Sequence, residues 1–160
     1  MQCLPADKKY DMLFPKGGVT VRRQKFLFYF LSFTWGLPLT LAGLLTALVL
    51  TLCGKKSRRW GWCRWFAVGH HWGGLEFGPI FLTDREAPER LRNHELGHAV
   101  QNCIFGPLSP LLINIPSAVR YWIFRLRGRW ENYDRIWFEG QATRLGTELM
   151  KKLTAPDGTV

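Results

Sequence analysis

A chain of 160 residues has room for one domain, or for one membrane segment joined to a small domain. Its formal net charge of +10 would suit nucleic acid, an anionic membrane surface or an acidic partner. Eight Trp and eleven Phe favour the membrane, because Trp gathers at lipid–water interfaces. No zinc-finger, RRM or helix-turn-helix pattern is present, so nucleic-acid binding is not expected. The four cysteines form no C-x-x-C pair, which argues against a disulfide framework or a zinc knuckle.

The first third of the chain is dominated by a long uncharged run. Residues 1–25 form a polar, basic lead-in, and residues 26–53 then carry no charge. A membrane-spanning helix needs about 20 apolar residues, so the run predicts a single transmembrane helix rather than a buried core helix. Pro38 lies inside the run and predicts a kink. Because basic residues flank both ends, the positive-inside rule gives only a preference for a cytoplasmic C-terminal part.

An aromatic and basic segment follows this run. Residues 54–73 mix Trp with Arg and Lys, which is typical of a connector at the membrane interface. His70 and His71 near its end fit either a polar turn or a pair of metal ligands. Residues 75–82 then predict an extended segment, which Pro79 restricts to a sheet edge. An edge strand can hold an extended peptide by backbone pairing, although a plain structural strand explains the pattern equally well.

The chemistry is concentrated in His94-Glu95-Leu96-Gly97-His98, an H-E-x-x-H motif. The apolar pattern predicts a helix over residues 87–103, and Gly106-Pro107 ends it. On a helix, positions i and i+4 share a face, so both imidazoles can bind one ion. Glu95 is turned away from that face and can reach a metal-bound water as a general base. The spacing therefore predicts a catalytic zinc site that needs one more protein ligand.

The third ligand is sought among the acids between the motif and the tail, which are Glu131, Asp134, Glu139 and Glu148. Glu139 is favoured because it stands between bulky apolar residues and small ones, as a carboxylate pressed against another helix would. An ordinary exposed glutamate is the alternative. A last helix is predicted over residues 130–152, followed by a flexible tail at 153–160.

The segment between these two helices has no charge up to Val119 and is punctuated by Gly and Pro. It is therefore predicted to be re-entrant or interfacial rather than a straight span, with burial inside the domain as the alternative. Residues 117–127 beyond it predict a further helix that carries aromatic residues and ends in arginines.

At this point the chain resembles a known family. His94–His98 followed by a helix with Glu139-Gly140-Gln141-Ala142 looks like the glutamate zincins (gluzincins), and most like the membrane-tethered HtpX and CaaX-protease type. It is also similar to small bacterial membrane proteins with an H-E-x-G-H-x-x-Q helix followed by G-P-L and I-P-S. The resemblance implies a zinc metallopeptidase in a bacterial inner membrane. It also implies His94, His98 and Glu139 as ligands and Glu95 as the general base.

The chain departs from the gluzincin pattern at one position and in its size, which leaves little room for a full cleft. Thr143 stands where an acid is expected, so the hydrogen-bond partner of a zinc histidine is sought at Thr143 itself or at Asn93, Gln101 or Asn102. No oxyanion-stabilising group is evident either, and the candidates are Tyr121, Tyr133, His70 and His71.

The sequence thus predicts a mainly α fold with a small β element. An N-terminal transmembrane helix (26–53) would join, through the connector 54–73, a minimal zincin-like domain at 74–152. The predicted function is a membrane-anchored, Zn2+-dependent endopeptidase that acts on a peptide or membrane-proximal protein segment beside the lipid bilayer. The alternative is a non-catalytic membrane protein, of an adaptor or immunity type, whose metal site is structural or decayed. Proteolysis deep inside the bilayer is disfavoured by the charged stretch Asp84–Glu89 directly before the motif.

Overall fold

The computed structural model describes residues 21–128 and 136–155, and within these ranges the chain is mainly helical with one four-stranded sheet. The predicted fold class, mainly α with a small β element, is confirmed at this level. In chain order the elements are α1 (Val21–Phe33), α2 (Leu37–Leu52), β1 (Ser57–Trp60), β2 (Cys63–Ala67), β3 (Gly74–Phe77), β4 (Ile80–Thr83), α3 (Glu89–Phe105), α4 (Ile115–Arg127) and α5 (Trp137–Thr154). A 3-10 turn (Gly106–Leu108) and a π-helical turn (Pro110–Asn114) join α3 to α4.

The uncharged run does not form one helix. α1 already begins at Val21, inside the expected lead-in, and ends at Phe33, and α2 leaves at an angle of 90° to it. Pro38 lies in the first turn of α2, where a missing N–H costs nothing. In the described ranges no single helix is long and apolar enough to cross a membrane. Two pairs of helices reach that length and composition when their members are taken together, and each pair is sharply bent at its junction. α1 and α2 form one of these pairs. The single transmembrane helix expected over residues 26–53 is therefore contradicted.

Gly36 shows why the chain turns at this point. A Cβ atom at Gly36 would overlap the side chain of Asn102 on α3, so the missing side chain lets the turn pack against that helix. The Asn102 Nδ2 donates a hydrogen bond to Gly36 O at 3.4 Å. The break between α1 and α2 is thus a tertiary contact with the motif helix.

The sheet has the strand order β1-β2-β4-β3, with β2 and β4 parallel and the other two pairs antiparallel. Its first two strands come from residues 57–67, which were expected to be an interfacial connector. The expected extended segment 75–82 folds into the β3–β4 hairpin through a turn at Gly78, which has a φ of 64°. β3 is an edge strand of the sheet and packs against α3, whereas β4 is an inner strand, so only the first half of the segment 75–82 lies at the expected edge. Pro79 itself lies in the turn between the two strands.

The core lies between the sheet and the helix pair α3 and α5. Residues 93–104 of α3 are buried on every side, and the helix packs on Trp62, Trp65 and Phe81 from the sheet layer. The predicted end of this helix is confirmed, because Gly106 has a φ of 57° and terminates it. α5 begins at Trp137; the earlier part of the predicted last helix falls on residues 129–135, outside the described ranges.

α3 and α5 touch backbone to backbone. A Cβ atom at Gly97 would overlap the carbonyl of Ala142, and one at Gly146 would overlap the carbonyl of Asn93. Glycine on both helices therefore permits an approach that any side chain would prevent. This approach carries Glu139, near the start of α5, to the histidine face of α3.

Gly97→Ala is expected to lower the free energy of unfolding by about 1–3 kcal/mol through overpacking, although alanine alone would favour a helix. Denaturant unfolding of the purified protein in detergent measures this difference. Glu148→Ala, a partly buried position on α5, is the control and should change the stability by less than about 0.5 kcal/mol. A Gly97→Ala protein as stable as this control would show that the helices do not need the close contact.

Candidate metal centre

Three side chains from α3 and α5 converge on one point. The Nε2 atoms of His94 and His98 lie 3.0 Å apart. They lie 3.0 Å and 3.5 Å, respectively, from Oε2 of Glu139. One ligand atom from each residue falls within 4.8 Å of the others, and all three residues are buried. The predicted meeting of His94, His98 and Glu139 is thus present, and the cluster could hold a metal ion.

The Glu139 carboxylate tests whether a metal fits here. The side chain is 0% exposed. Within the described ranges neither of its oxygens has a hydrogen-bond partner beyond the contacts with the two imidazoles. Burying a charge is costly unless it is paired or coordinates a metal. Two imidazoles and one carboxylate are also a known donor set of catalytic zinc sites, which leave a fourth position for water or substrate.

Gln101 orients His98. Its Nε2 donates to the Phe138 carbonyl at 2.8 Å and to Oε1 of Gln141 at 2.9 Å, so its own Oε1 must face the other way as an acceptor. That oxygen lies 2.7 Å from Nδ1 of His98. The proton of a neutral His98 ring is therefore held on Nδ1, and Nε2 presents its lone pair to the cluster.

Thr143 orients His94 in the same way. Its Oγ1 lies 2.8 Å from Nδ1 of His94. The hydroxyl thus stands in the place where the gluzincin pattern has an acid, and it can accept the Nδ1 proton without adding a negative charge. Both outer partners of the zinc-type histidines are neutral groups.

The remaining candidates have other roles or lie elsewhere. Asn93 accepts a hydrogen bond from Trp60 Nε1 at 3.0 Å, and Asn102 donates one to Gly36 O at 3.4 Å, so both side chains have a hydrogen-bond partner outside the cluster. His70 and His71 are exposed and do not join the cluster. Of the sequence candidates, Tyr133, Glu131 and Asp134 fall outside the described ranges.

Three buried carboxylates surround the two histidines. Burial would raise the pKa of Glu139, but hydrogen bonds from His94 and His98 outweigh it and bring the pKa well below its usual range. Burial raises the pKa of Glu95 to about 8, helped by the charges of Glu76 and Glu139 and opposed by His98. Burial would lower the pKa of His98, yet Glu139 and the other two carboxylates raise it to about 9. The pocket therefore favours a positive charge at its centre.

A cleft of about 940 Å³ reaches this cluster. Its floor includes His94, Glu95 and His98 of α3, and its rim is formed by the segment from Trp72 to Glu76 and by α4. Gly74 of β3 passes Glu95 so closely that a Cβ atom there would overlap the carboxylate. The general-base candidate and the edge strand are thus direct neighbours at the bottom of the cleft.

Sequence reasoning missed Glu76. It is 2% exposed on β3 and lines the cleft, and its carboxylate accepts hydrogen bonds from Gly78 N and, at 3.3 Å, from Asn114 Nδ2. Burial raises its pKa to about 7, against lowering by His98 and by these two donors. On β3 the usual alternation is reversed: the glutamate points inward, while the neighbouring Leu75 is 38% exposed.

Thr143→Val keeps the side-chain volume but removes the acceptor for His94, so Zn2+ affinity is expected to fall about 10–100-fold. Competition with a chromogenic chelator measures this affinity. Thr147→Val is the matched control, since that hydroxyl, one turn further along α5, bonds only to the Thr143 carbonyl at 2.7 Å in the described contacts. Equal affinities for the two variants would contradict the assigned role of Thr143, and wild-type affinity in Glu139→Ala would contradict the cluster itself.

Comparison with known proteins identified no relative of this chain. No protein-family model matches the chain, and no match was found among curated proteins or solved structures. The resemblance to gluzincins accordingly stays a prediction from the motif and its surroundings. The function proposed below therefore depends on the geometry of the cluster and of its cleft.

Proposed function

We propose that the protein is a membrane-anchored, zinc-dependent endopeptidase. The observation that carries this function is the convergence of His94, His98 and Glu139 beside Glu95, at the floor of a cleft that an edge strand borders. The cluster supplies three protein ligands in the described ranges, which is the number typical of a catalytic site, whereas structural zinc sites usually have four. Exposed apolar side chains on α1 and α2, including Phe26, Leu45 and Leu52, support the membrane anchor.

The chemistry that a zinc ion supplies at such a site is Lewis acidity toward a carbonyl and acidification of a bound water. Glu95 would take the proton of the attacking water and later deliver it to the leaving amine. Its neighbour Gly74 leaves the carboxylate open toward the cleft.

β3 offers the substrate a place to bind in extended form. The carbonyl of Glu76 points away from β4 and accepts a hydrogen bond from Asn114 Nδ2 at 3.4 Å, a donor that a bound peptide would displace. A peptide added along this edge would pair with β3 backbone groups by strand addition. Because β3 packs on α3 next to Glu95, the scissile bond of such a peptide would lie over the cluster.

Tyr121 is the oxyanion candidate that the cleft favours. Its ring lines the cleft from α4, and its hydroxyl oxygen accepts hydrogen bonds from Gly73 N at 3.3 Å and from Arg125 Nη1 at 2.8 Å. These two donors hold the hydroxyl at the rim and increase its ability to donate in turn. His70 and His71, the other described candidates, do not line the cleft.

Glu95→Gln is expected to keep one Zn2+ per chain and to lose about 10²–10⁴-fold in peptide hydrolysis, because the amide cannot take the proton. A mass-spectrometric screen of a peptide library, with metal content measured on the same sample, gives both quantities. Glu148→Gln on α5 serves as the matched control. Wild-type cleavage by Glu95→Gln would overturn the mechanism. A zinc-loaded wild-type protein that cleaves neither peptides nor membrane proteins would favour the non-catalytic alternative.

Tyr121→Phe should lower kcat by about 10²-fold while KM and zinc content stay near those of the wild type, since only a hydroxyl at the developing negative charge is lost. Steady-state kinetics on the best peptide of the screen provide the comparison. Trp122→Phe, the neighbouring aromatic at the cleft rim, is the control for a change of packing. An equal loss in both variants, or a change confined to KM, would remove Tyr121 from the reaction.

A further inference from the structure

A continuous stripe of exposed apolar side chains runs from the 3-10 turn to the end of α4. The stripe consists of Leu108, Leu111, Leu112, Ile115, Val119, Trp122, Ile123 and Leu126. Along α4, Ile115, Val119, Trp122, Ile123 and Leu126 fall at offsets of three or four residues, so they share one helical face, and Leu126 reaches 83% exposure. α4 has no buried residue at all. A surface of this kind on an otherwise well-packed domain marks an interaction site.

The same helix is a wall of the cleft. Ser117, Ala118 and Tyr121 line the cleft from the side of α4 that faces β3. Hydrogen bonds from Asn114 to Glu76 and from Gly73 to Tyr121 attach the two ends of this segment to the edge strand. These polar contacts lie on the opposite face of the segment, and they keep the apolar stripe pointing away from the domain.

The charges around the stripe have one sign. Between His98 and Trp130 the charged residues are all arginines, and no Asp or Glu occurs. Arg120 lies over the ring of Phe124 at 4.5 Å, and Arg125 lies 5.9 Å from the ring of Trp122. Arginine next to aromatic rings at the border of an apolar face is typical of a helix lying in a lipid headgroup layer.

Shape and charge favour a bilayer over a second copy of the chain. A two-fold dimer would bring the same patch onto itself and place its arginines close to those of the partner. The α4 part of the stripe lies on one helix, which presents a convex ridge rather than a groove for a peptide. At its base, Gly106 packs against the indole of Trp35, so the stripe meets the turn that joins α1 and α2, the proposed anchor.

We propose that the apolar face of α4 docks into the headgroup layer of an anionic lipid membrane. Trp122 and Leu126 enter the acyl boundary, and the arginines bind lipid phosphates. Docking places the rim of the cleft at the membrane surface. If the proposed peptidase function holds, the substrate class is then the juxtamembrane segment of a membrane protein.

Site-specific labels on the full-length chain test the docking. Val119→Cys and Leu126→Cys, in a background with Cys3 and the exposed Cys53 replaced by Ser, each carry an environment-sensitive fluorophore; Cys63 and Cys103 are buried. Arg85→Cys, on the exposed loop before α3, is the control. The protein is bound to phosphatidylcholine vesicles with or without phosphatidylglycerol, and quenching by spin-labelled lipid and by aqueous iodide is recorded.

With phosphatidylglycerol present, labels at 119 and 126 should be quenched by lipid and protected from iodide, while the label at 85 stays accessible to iodide. Arg127→Gln should weaken the phosphatidylglycerol-dependent part of binding about fivefold, and Arg85→Gln should not. Iodide quenching at 119 and 126 equal to that at 85 in vesicle-bound protein would overturn the docking. Protection with self-quenching but without lipid quenching would assign the face to a second copy. None of these readouts depends on hydrolysis, so failure of the peptidase function would be a separate result.

Discussion

The structure depends on the contact between the backbones of α3 and α5. Side chains normally separate the axes of two packed helices. Gly97 and Gly146 have no side chain, so the two backbones come into contact at both positions. Only at this short distance can a glutamate on one helix reach both imidazoles of the other with no intervening atom. The glycine inside H-E-L-G-H is thus part of the site, although it has no functional group.

Around this contact the polar groups of α3 and α5 are hydrogen-bonded to one another. Gln101 and Thr143 each hold one imidazole, and Gln101 is itself held by the carbonyl of Phe138, so α5 orients both histidines through different atoms. All these partners are neutral, and the negative charge comes from Glu139, Glu95 and Glu76 instead. A metal at the centre would therefore have its charge balanced from several sides, while its histidines keep the electronic character of neutral ligands.

Local patterns predicted much of the site. The spacing of His94 and His98, and their place on a helix ended by Gly106, follow from helix geometry and from glycine at a positive φ, which act over a few residues. Glu139 was recognisable from its small and bulky neighbours. The break at Gly36 was not, because the cause is the side chain of Asn102, which is distant in sequence.

The sequence does not predict the inward position of Glu76, and it names Tyr121 as an oxyanion candidate without separating it from the others. The reason is the same, because each position depends on contacts with segments far along the chain. The sequence at 57–67 predicts an interfacial connector instead of strands, because an arginine- and tryptophan-rich segment has the same composition in both settings. β2 joins the sheet by pairing with β4, a contact that local sequence does not encode, and β1 joins it through β2.

The division of the cluster between α3 and α5 also has a consequence for biosynthesis. During synthesis from the N-terminus, both histidines and Glu95 leave the ribosome well before Glu139. The unfinished chain has the two histidines and Glu95 but lacks Glu139. It also lacks Gly146 of α5, which allows the close approach of the helices. A nascent chain is thus unable to build the complete centre, and assembly waits until the last helix has docked. If the cluster holds a metal, its uptake would be a late event that stabilises only the finished fold.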